Sequence, residues 1–413
     1  MSGQNVVVIG AGIVGASTAL ALQRDGHQVI LIDREGPCAG ASFGNAGAIV
    51  NESCAPTAMP GIVFDVFRMI GRPLSPFTIR LSYLPRALPW MLRFLNESRR
   101  SRVNANAKNL HALTKVAEKS WRRLTSGTDL GDLLRPGGWL KVYESDKSFA
   151  GTAFARSLMD ELGAPYEILD PAGIQELEPH LAPIYAHGLF VREGLMISDP
   201  GRMTNEMIEL FLSRGGRLQK FTAERLEIGA DNIVVHDRSD SLAADKVVIA
   251  AGAWSRKLAA QIGDRVPLDT ERGYHLMLPA SSSALLERPV MSGDHSFVLS
   301  PMDEGLRLAS QVEFAGLTAA PNYSRIRSLV PAAMRMLPAI STKEQSVWMG
   351  CRPSLPDSLP VLGYATKCDR VLYSFGHQHL GMTLGPRTAQ ITADLVAGRD
   401  PQIDMRPYRA DRF

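Results

Sequence analysis

The residues with the clearest chemical meaning lie at the start of the chain, where an apolar β-branched run ends in the pattern G-x-G-x-x-G. Val6–Ile9 is followed by Gly10, Gly12 and Gly15, and an apolar helical stretch continues to about Arg24. In this pattern the first glycine permits a tight turn, the second lets a pyrophosphate approach the backbone, and the third lets the helix pack against the strand. The helix N-terminus offers free N–H groups and a positive potential to phosphates. The sequence therefore predicts a βαβ dinucleotide-binding site.

An acidic residue at the end of the next apolar run narrows the choice of ligand. Gln28–Ile32 has the character of a second strand and is followed by Asp33. Its distance from the glycines is close to the roughly 20 residues expected for a carboxylate that binds an adenosine ribose. Because a carboxylate repels a 2′-phosphate, NADP is disfavoured. The motif alone leaves both NAD and FAD open.

Length and charge limit the class of protein. The chain has 413 residues, more than the roughly 250–300 at which single hydrophobic cores stop growing, so we expect more than one domain. Lys and Arg number 45 against 42 Asp and Glu, a formal net charge of +3, which is not the basic footprint of a nucleic-acid-binding protein. The four cysteines show neither a C-x-x-C pair nor metal-ligand spacing, so we predict no metal site and a reducing compartment. With no secretory signal ahead of the first strand, the expected location is cytoplasmic.

Residues 61–95 form the most apolar irregular region. Arginines and prolines interrupt this arm well before the roughly 18 uninterrupted apolar residues that a membrane span requires. Two interpretations remain open. The arm packs into the core with a solvated basic edge, or it lies on a membrane surface with Arg99, Arg100 and Arg102 facing anionic lipid.

Hydrophobic periodicity and end signals predict the remaining elements. Lys246–Ala250 runs into Gly252 and Trp254, which repeats the strand–turn–helix pattern of the N-terminus. Such a strand adds to the same parallel sheet, so the dinucleotide domain is discontinuous in sequence. We predict an α/β protein with a Rossmann-like domain and an inserted antiparallel-sheet substrate domain. The predicted helices are 104–125, 148–162, 200–213 and 386–397, and the predicted later strands are 223–228, 233–236, 265–277, 297–300, 306–311 and 346–351.

Further motifs follow in a fixed order: Gly40–Gly47, Arg272-Gly273-Tyr274, Gly350-Cys351-Arg352-Pro353 and Gly376-His377-Gln378-His379. With the N-terminal motif they resemble the FAD-dependent amine oxidoreductases, the family of glycine oxidase, sarcosine oxidase, D-amino-acid oxidase and bacterial D-amino-acid dehydrogenase. The form of the Gly40–Gly47 segment is most similar to the dehydrogenases, including D-hydroxyproline dehydrogenases. The resemblance implies an FAD-binding domain made of 1–60, 150–260 and 350–413, and a substrate domain made of 61–149 and 261–349.

The resemblance, with the chemistry of the residues, predicts the FAD site. Gly40–Gly47 is too rich in small residues to form a core element, and its backbone can run flat beside the isoalloxazine ring. The helix near the C-terminus points its positive end at the pyrimidine side of the flavin, where it stabilises the reduced ring. The predicted cofactor residues are Gly10, Gly12, Ile13, Val14, Gly15, Asp33, Arg34, Ala41, Ser42, Asn45, Ala46, Gly47, Gly252, Trp254, Gly376, Gly381, Met382 and Thr383.

The resemblance also implies a substrate site. Arg352 matches the arginine that holds the substrate carboxylate in glycine oxidase, and a guanidinium fork suits a bidentate carboxylate contact. His379 stands where glycine oxidase has a second arginine, and His295 matches a histidine that borders the substrate. Phe297 replaces a tyrosine of that enzyme, so Tyr274 is the candidate for the missing hydroxyl.

The implied reaction is the oxidative deamination of a D-amino acid, with proline-like or hydroxyproline substrates as one subset. A hydride passes from the α-carbon to the flavin, and the electrons then pass to a quinone or another carrier. No general base is evident in the sequence, and none is required if the amine binds in its neutral form. The alternatives are a glycine- or sarcosine-type oxidase that uses oxygen, a non-catalytic electron-transfer subunit that binds FAD, and an NAD-dependent dehydrogenase.

Overall fold

A parallel sheet forms one half of the protein. The computed structural model describes residues 3–62, 75 and 77–413. Within them this sheet has five parallel strands and one antiparallel edge strand. The predicted later strand Lys246–Ile249 pairs with Asn5–Ile9, so the prediction that one sheet is assembled from distant segments is confirmed. The strand order is Arg217–Lys220, Gln28–Asp33, Asn5–Ile9, Lys246–Ile249, Cys368–Phe375 and Val361–Ala365.

Both faces of this sheet are covered, which explains why its strands are continuous apolar runs. On one face, Val6 and Val8 pack against three helices. On the other face, Val7 and Ile9 pack against a fourth helix and an antiparallel meander. The three helices are Ile13–Arg24, Pro200–Ser213 and Gly381–Val396, and the other face carries Ser255–Ile262 with the strands Arg225–Ile228, Ile233–His236 and Ser241–Ala244.

A larger mixed sheet forms the other half. Most of its neighbouring strands are antiparallel, and two pairs are parallel. Its order is Ser346–Ser354, Asp269–Leu278, Gly305–Phe314, Phe297–Met302, Val290–Ser292, Trp139–Tyr143, His187–Val191 and Glu167–Leu169, with Phe77–Ile79 paired to Gly305–Phe314.

The two faces of this larger sheet contact different parts of the protein. Alternate side chains such as Tyr274 and Leu276 pack with residues of the short helices Ser324–Arg327 and Val330–Met336, and we call this the outer face. On the opposite side, Arg307 donates hydrogen bonds to backbone carbonyls of the Gly40–Gly47 loop. We call that side the inner face. It is the side that meets the predicted flavin loop.

The remaining elements connect the two sheets. A small sheet joins Ala48–Ile49, Leu195–Ile197 and Leu134–Pro136. None of the helices in the described ranges has the length and apolar character needed to cross a bilayer. The other helices are Leu84–Glu97, Arg100–Thr114, Ala117–Thr125, Asp146–Ala150, Ala153–Leu162, Pro171–Leu177 and Ala280–Ser283, and the 3₁₀ turns are Leu81–Tyr83, Asp129–Leu133, Gly252–Trp254, Arg406–Tyr408 and Ala410–Arg412.

Several predicted helix bounds are wrong. The helix predicted over 104–125 is two helices that break between Thr114 and Ala117, and the one predicted over 148–162 breaks after Ala150. The C-terminal helix begins at Gly381, with Pro386 inside it. Proline lacks the N–H that would bond to the carbonyl of Met382, and the indole N–H of Trp121 donates to that carbonyl instead at 2.9 Å.

The strand pairings also differ from the proposed domain boundary at residue 150. Glu167–Leu169 and His187–Val191 belong to the larger sheet, whereas the prediction placed 150–260 with the parallel sheet. Short apolar strands do not reveal from sequence alone which sheet they join. The division into two domains remains a prediction. Residues 63–74 and 76 of the predicted arm lie outside the described residues.

Candidate functional site

A cavity of about 770 Å³ opens where the parallel strands end. Ligands of open α/β sheets bind at this edge, and the volume lies in the usual range of roughly 300–1,000 Å³ for cofactor sites. Most of the predicted cofactor residues line it: Gly10, Gly12, Ile13, Val14, Asp33, Arg34, Ala41, Ser42, Asn45, Gly252, Trp254, Gly376, Gly381 and Met382.

The three N-terminal glycines have separate structural roles. Gly10 has a φ of +111°, which L side chains rarely adopt, and a Cβ at Gly15 would overlap the carbonyl of Gly10. At Gly12 a Cβ would meet only the Ser42 hydroxyl, at 3.1 Å. Gly15 does not line the cavity, so it serves helix–strand packing, while Gly12 keeps open the space where a pyrophosphate would lie.

Asp33 is fixed by the backbone. Its carboxylate accepts hydrogen bonds from the N–H groups of Ala11 at 2.9 Å, Glu35 at 2.8 Å and Gly36 at 3.1 Å. These bonds hold the carboxylate in the cavity wall beside the glycine turn, a placement that suits a ribose hydroxyl.

The Gly40–Gly47 loop is clamped between the two sheets. The Ser42 hydroxyl accepts from the N–H of Ile13 at 3.0 Å, and the Asn45 side chain accepts from Gly47 N–H at 2.8 Å. Arg307 donates to the carbonyls of Phe43 and Asn45. Ala46 and Gly47 lie behind the cavity wall, where Gly47 accepts from the N–H of Ile197. Sequence motifs missed Arg307, because its role depends on a strand far away in the chain.

The C-terminal helix starts at the same cavity. Gly376, with a φ of +88°, leads to the first residues of Gly381–Val396, whose N-terminus has no side-chain cap. Free N–H groups at a helix N-terminus attract negative charge. Thr383 does not line the cavity but donates to the carbonyl of Ala48 at 3.3 Å, which ties the helix to the small sheet. Two helix N-termini and the Asp33 carboxylate thus fit a dinucleotide cofactor.

Some cavity residues were not recognised from sequence. Phe221, Thr222 and Ala223 follow the edge strand of the parallel sheet, and Pro353 and Gln378 close the far side of the cavity. What could have identified these residues is their position, either directly after a strand of that sheet or next to Arg352. This signal needs the strand order, which the sequence did not provide.

Cys351 lines the cofactor cavity, and the resemblance described above implies that some members of the family carry a covalent flavin thioether in this part of the chain. The spacing from Cys351 to Pro356 and Asp357 is one residue shorter than we expect for that arrangement, so we predict non-covalent FAD and a Cys351 thiol that packs as a small hydrophobe. Acid precipitation of the purified protein should leave a colourless pellet and a yellow supernatant. A pellet that stays yellow after washing would show a covalent bond.

Arg352 lies on the inner face of the larger sheet with most of its donors free. Its Nη1 donates to the Gln311 carbonyl at 2.9 Å, and its other N–H groups have no partner among the residues that the structure describes. Gly273 on the neighbouring strand leaves room for the guanidinium, because a Cβ there would overlap it. Burial lowers the pKa of Arg352 and the charge of Glu271 raises it, and a guanidinium stays protonated in proteins. The arrangement offers a fixed cation to a carboxylate.

His379 is brought close to Arg352. Burial, together with the positive charges of Arg352 and Lys141, lowers the pKa of His379 to about 4. Its side chain keeps accessible surface beside Arg352, where a ligand can reach the ring. At neutral pH the ring is uncharged, and it can donate or accept one hydrogen bond there.

Tyr274 lies apart from Arg352. Its side chain belongs to the core of the outer face, where the hydroxyl donates to Glu313 at 2.5 Å and accepts from the N–H of Asn322 at 3.2 Å. Arg272 pairs with the same glutamate at 3.2 Å. Successive residues of a strand project to opposite faces. Because Gly273 faces Arg352, its neighbours Arg272 and Tyr274 project to the other face of the sheet. We therefore do not retain Tyr274 in the substrate site.

His295 also lies away from Arg352. Its Nε2 is 3.2 Å from the Glu144 carboxylate, which also binds Arg335 at 2.9 Å. Arg335 belongs to Val330–Met336, a helix that covers the outer face. The structure thus brings together Arg352 and His379, and it separates both from His295.

Lys141 is a site residue that sequence reasoning missed. On its strand, Leu140 and Val142 pack into the outer core, so alternation places Lys141 on the inner face. Burial lowers its pKa, and its charge acts on both Cys54 and His379. A lysine between two apolar residues of a strand is visible in the sequence. Its proximity to Cys54 and His379 is not, because these residues are distant in the chain.

The chain matches known proteins along nearly its whole length. The family model "FAD dependent oxidoreductase" (DAO) matches residues 5–395. A D-amino-acid oxidase of Bradyrhizobium diazoefficiens is 36% identical over 422 residues, covering 100% of this chain and 99% of that protein. A D-amino acid dehydrogenase of Rhizobium johnstonii is 29% identical, with 99% of each covered. The structure of glycine oxidase from Geobacillus kaustophilus shares the fold with a TM-score of 0.75 at 22% identity, covering 100% of both chains.

The chain therefore belongs to the DAO family of FAD-dependent oxidoreductases. The predictions of an α/β flavoprotein fold, of FAD as the cofactor and of an oxidoreductase are confirmed. The choice that the glycine motif left open between NAD and FAD is settled in favour of FAD.

Proposed function

We propose that this enzyme oxidises D-amino acids to imino acids, with Arg352 as the anchor of the substrate carboxylate. The observation that carries the proposal is a guanidinium held by one carbonyl, with its remaining donors free, on the inner face opposite the flavin loop. When bound, FAD accepts the hydride that leaves the substrate α-carbon. The imino acid then hydrolyses in water.

The residues of the chain supply position and electrostatics. A bidentate contact to Arg352 fixes two points of a small amino acid and so limits which face of its α-carbon meets the cofactor. The uncharged ring of His379 closes the site on the side of the Gly40–Gly47 loop, where its backbone carbonyl accepts from Asn45 at 3.4 Å. The names of the two curated relatives support the D-configuration, and proline-like D-amino acids remain candidate substrates.

The electron acceptor is proposed to be a quinone at a membrane surface. The helix Leu84–Glu97 turns three leucines outward, with 40% of Leu84, 49% of Leu88 and 59% of Leu92 exposed. Arg86 and Arg93 lie on the same helix. An apolar face beside positive charge suits the surface of an anionic bilayer. Co-sedimentation with anionic but not neutral vesicles, lost on changing Leu88 and Leu92 to Ser, would support this contact.

Anaerobic reduction of the bound flavin tests the proposed reaction. The purified protein is mixed with D- and L-amino acids, D-proline, hydroxy-D-proline, glycine and sarcosine, and the flavin absorbance is followed. We expect bleaching by D-amino acids and none by their L-enantiomers. Fastest reduction by glycine or sarcosine would favour the oxidase alternative. Bleaching by no amine would favour the electron-transfer subunit and contradict the proposal.

Reoxidation of the reduced enzyme tests the acceptor. After anaerobic reduction, the enzyme is mixed either with oxygen or with a water-soluble ubiquinone analogue, and the return of flavin absorbance is timed. We expect the quinone to react faster at equal concentration. Faster reaction with oxygen would identify an oxidase.

A further inference from the structure

Glu271 is a buried carboxylate beside the proposed substrate anchor. It lies directly opposite Arg352 in the antiparallel pair of Asp269–Leu278 and Ser346–Ser354, and only 6% of its surface is exposed. Residues directly opposite each other project to the same face, with Cβ atoms about 5 Å apart. Both side chains therefore lie on the inner face. No sequence motif singled out Glu271.

Arg352 and Glu271 carry opposite charges but do not pair with each other in the part of the chain that the structure describes. Arg352 directs Nη1 to the carbonyl of Gln311, and the described residues contain no ion pair between Arg352 and Glu271. A buried charge that contacts no opposite charge is disfavoured, and a hydroxyl group such as that of Ser354 does not neutralise it, so adjacent buried charges are expected to pair directly or through a ligand. A zwitterionic amino acid carries a carboxylate and an ammonium on one carbon atom. It would satisfy both side chains at once.

We propose that Glu271 binds the substrate ammonium and accepts its proton, an inference that rests on the proposed function in which Arg352 holds the carboxylate. The proton moves from the substrate nitrogen to a carboxylate oxygen of Glu271, and the nitrogen keeps the electron pair. As the α-hydrogen leaves as a hydride to FAD, that pair forms the C=N bond of the imino acid in its iminium form. Glu271 is then a catalytic residue, in place of the neutral-amine binding considered from sequence.

The electrostatic surroundings suit this role. Burial raises the pKa of Glu271. The charge of Arg352 and a hydrogen bond with the Ser354 side chain oppose that rise, and the charge of Asp269 on the same strand adds to it. His379, which faces Arg352 from the loop before the C-terminal helix, is uncharged at neutral pH because its pKa is about 4. A carboxylate made more basic than usual is a better proton acceptor near neutral pH, while Arg352 keeps its ionised form accessible.

The isosteric variant Glu271→Gln tests the inference through the pH dependence of flavin reduction. In the wild type, the apparent second-order rate of reduction should fall on the acid side with the protonation of Glu271. In the variant, only substrate with an already neutral amine reacts. The acid limb should therefore move up toward the pKa of the substrate amine, with about 10²- to 10⁴-fold slower reduction at neutral pH and recovery at high pH. An unchanged limb would overturn the inference.

Binding of a simple carboxylate gives a second measurement, independent of turnover. Propionate has a group for Arg352 but none for Glu271, and its binding is read from the perturbed flavin spectrum. Glu271→Gln should bind propionate as tightly as the wild type or more tightly, because a neighbouring negative charge is gone. If propionate binding weakens as much as amino-acid binding does, Glu271 only positions Arg352 and the inference is wrong.

Two further variants complete the design. Glu52→Gln is the matched control, since Glu52 is another buried glutamate whose pKa burial raises to about 7; it should keep the wild-type acid limb. If Glu271→Gln does not retain FAD, Glu271→Asp takes its place and should keep an acid limb with slower reduction; loss of that limb would contradict the inference. The wild-type amino-acid panel separates the two proposals, because failure of every substrate there refutes the function, whereas an unaltered profile in the variant refutes only Glu271.

Discussion

Changing Arg352 to Ala should lower the catalytic efficiency of flavin reduction by about 30- to 1,000-fold, which corresponds to roughly 2–4 kcal/mol of transition-state binding. The reason is that the guanidinium is the fixed cation whose free donors face the inner side of the sheet. Lysine at the same position should rescue poorly, because it is a point charge without a planar fork. Anaerobic stopped-flow reduction with the best D-amino acid measures the effect.

The structure separates this prediction from a loss of fold or cofactor. Arg352 does not line the FAD cavity, so Arg352→Ala should keep its flavin and its thermal stability within a few degrees. Arg135→Ala is a suitable control, because Arg135 is an exposed arginine paired with Asp303 at 3.0 Å and should react like the wild type. Reduction of Arg352→Ala at the wild-type rate would show that the carboxylate is anchored elsewhere, with Lys141 and His379 the next residues to change.

Removing Arg352 should also change the pKa of Glu271. The charge of Arg352 opposes the rise that burial imposes on the Glu271 pKa. Without that charge the pKa of Glu271 would rise further, so more of the carboxyl group would already be protonated at neutral pH and unable to accept the substrate proton. The two substitutions should therefore be non-additive, as expected for groups that contact one ligand. A double-mutant cycle on flavin reduction would measure this coupling.

The cofactor half of the site could be predicted from sequence because its signals are local. Gly10, Gly12 and Asp33 lie within one strand–helix–strand unit, where each residue type answers a steric or electrostatic need of that unit. The strand Lys246–Ile249, which joins the same sheet from a distant part of the chain, could be predicted as well. A strand that is buried on both faces has a recognisable apolar run. In both cases a pattern within a short stretch of the sequence is enough to predict the structure that the stretch forms.

The substrate half could be predicted only in part, because its residues meet across strands that are distant in the chain. Tyr274 has the hydroxyl that the sequence prediction requires, but strand alternation places its side chain in the core of the outer face with Glu313. Glu271, three residues earlier, has the opposite parity and faces Arg352. Once one residue of a strand is known to face inward, alternation along the sequence tells which other residues of that strand face inward. The pairing register that places Glu271 opposite Arg352 cannot be predicted from the sequence in this way.

The second large effect is expected at Gly12. A Gly12→Val variant should fold and yet purify without FAD, because the added side chain would occupy the space for the pyrophosphate. In the protein itself the new Cβ meets only the Ser42 hydroxyl at 3.1 Å, and the backbone there is extended with a φ of −78°. Visible flavin absorbance relative to protein absorbance gives the FAD content, and circular dichroism reports the fold.

Two other glycines show whether the loss is specific to the cofactor. Gly15→Val should fail to fold, since its Cβ would overlap the backbone carbonyl of Gly10 and separate the first helix from its strand. Gly131→Val should keep both fold and flavin, because nothing lies near a Cβ at that position. The contrast assigns Gly15 to packing and Gly12 to the pyrophosphate. A folded Gly12→Val protein carrying a full complement of FAD would place the phosphates away from this turn, and the first helix N-terminus would then need another explanation.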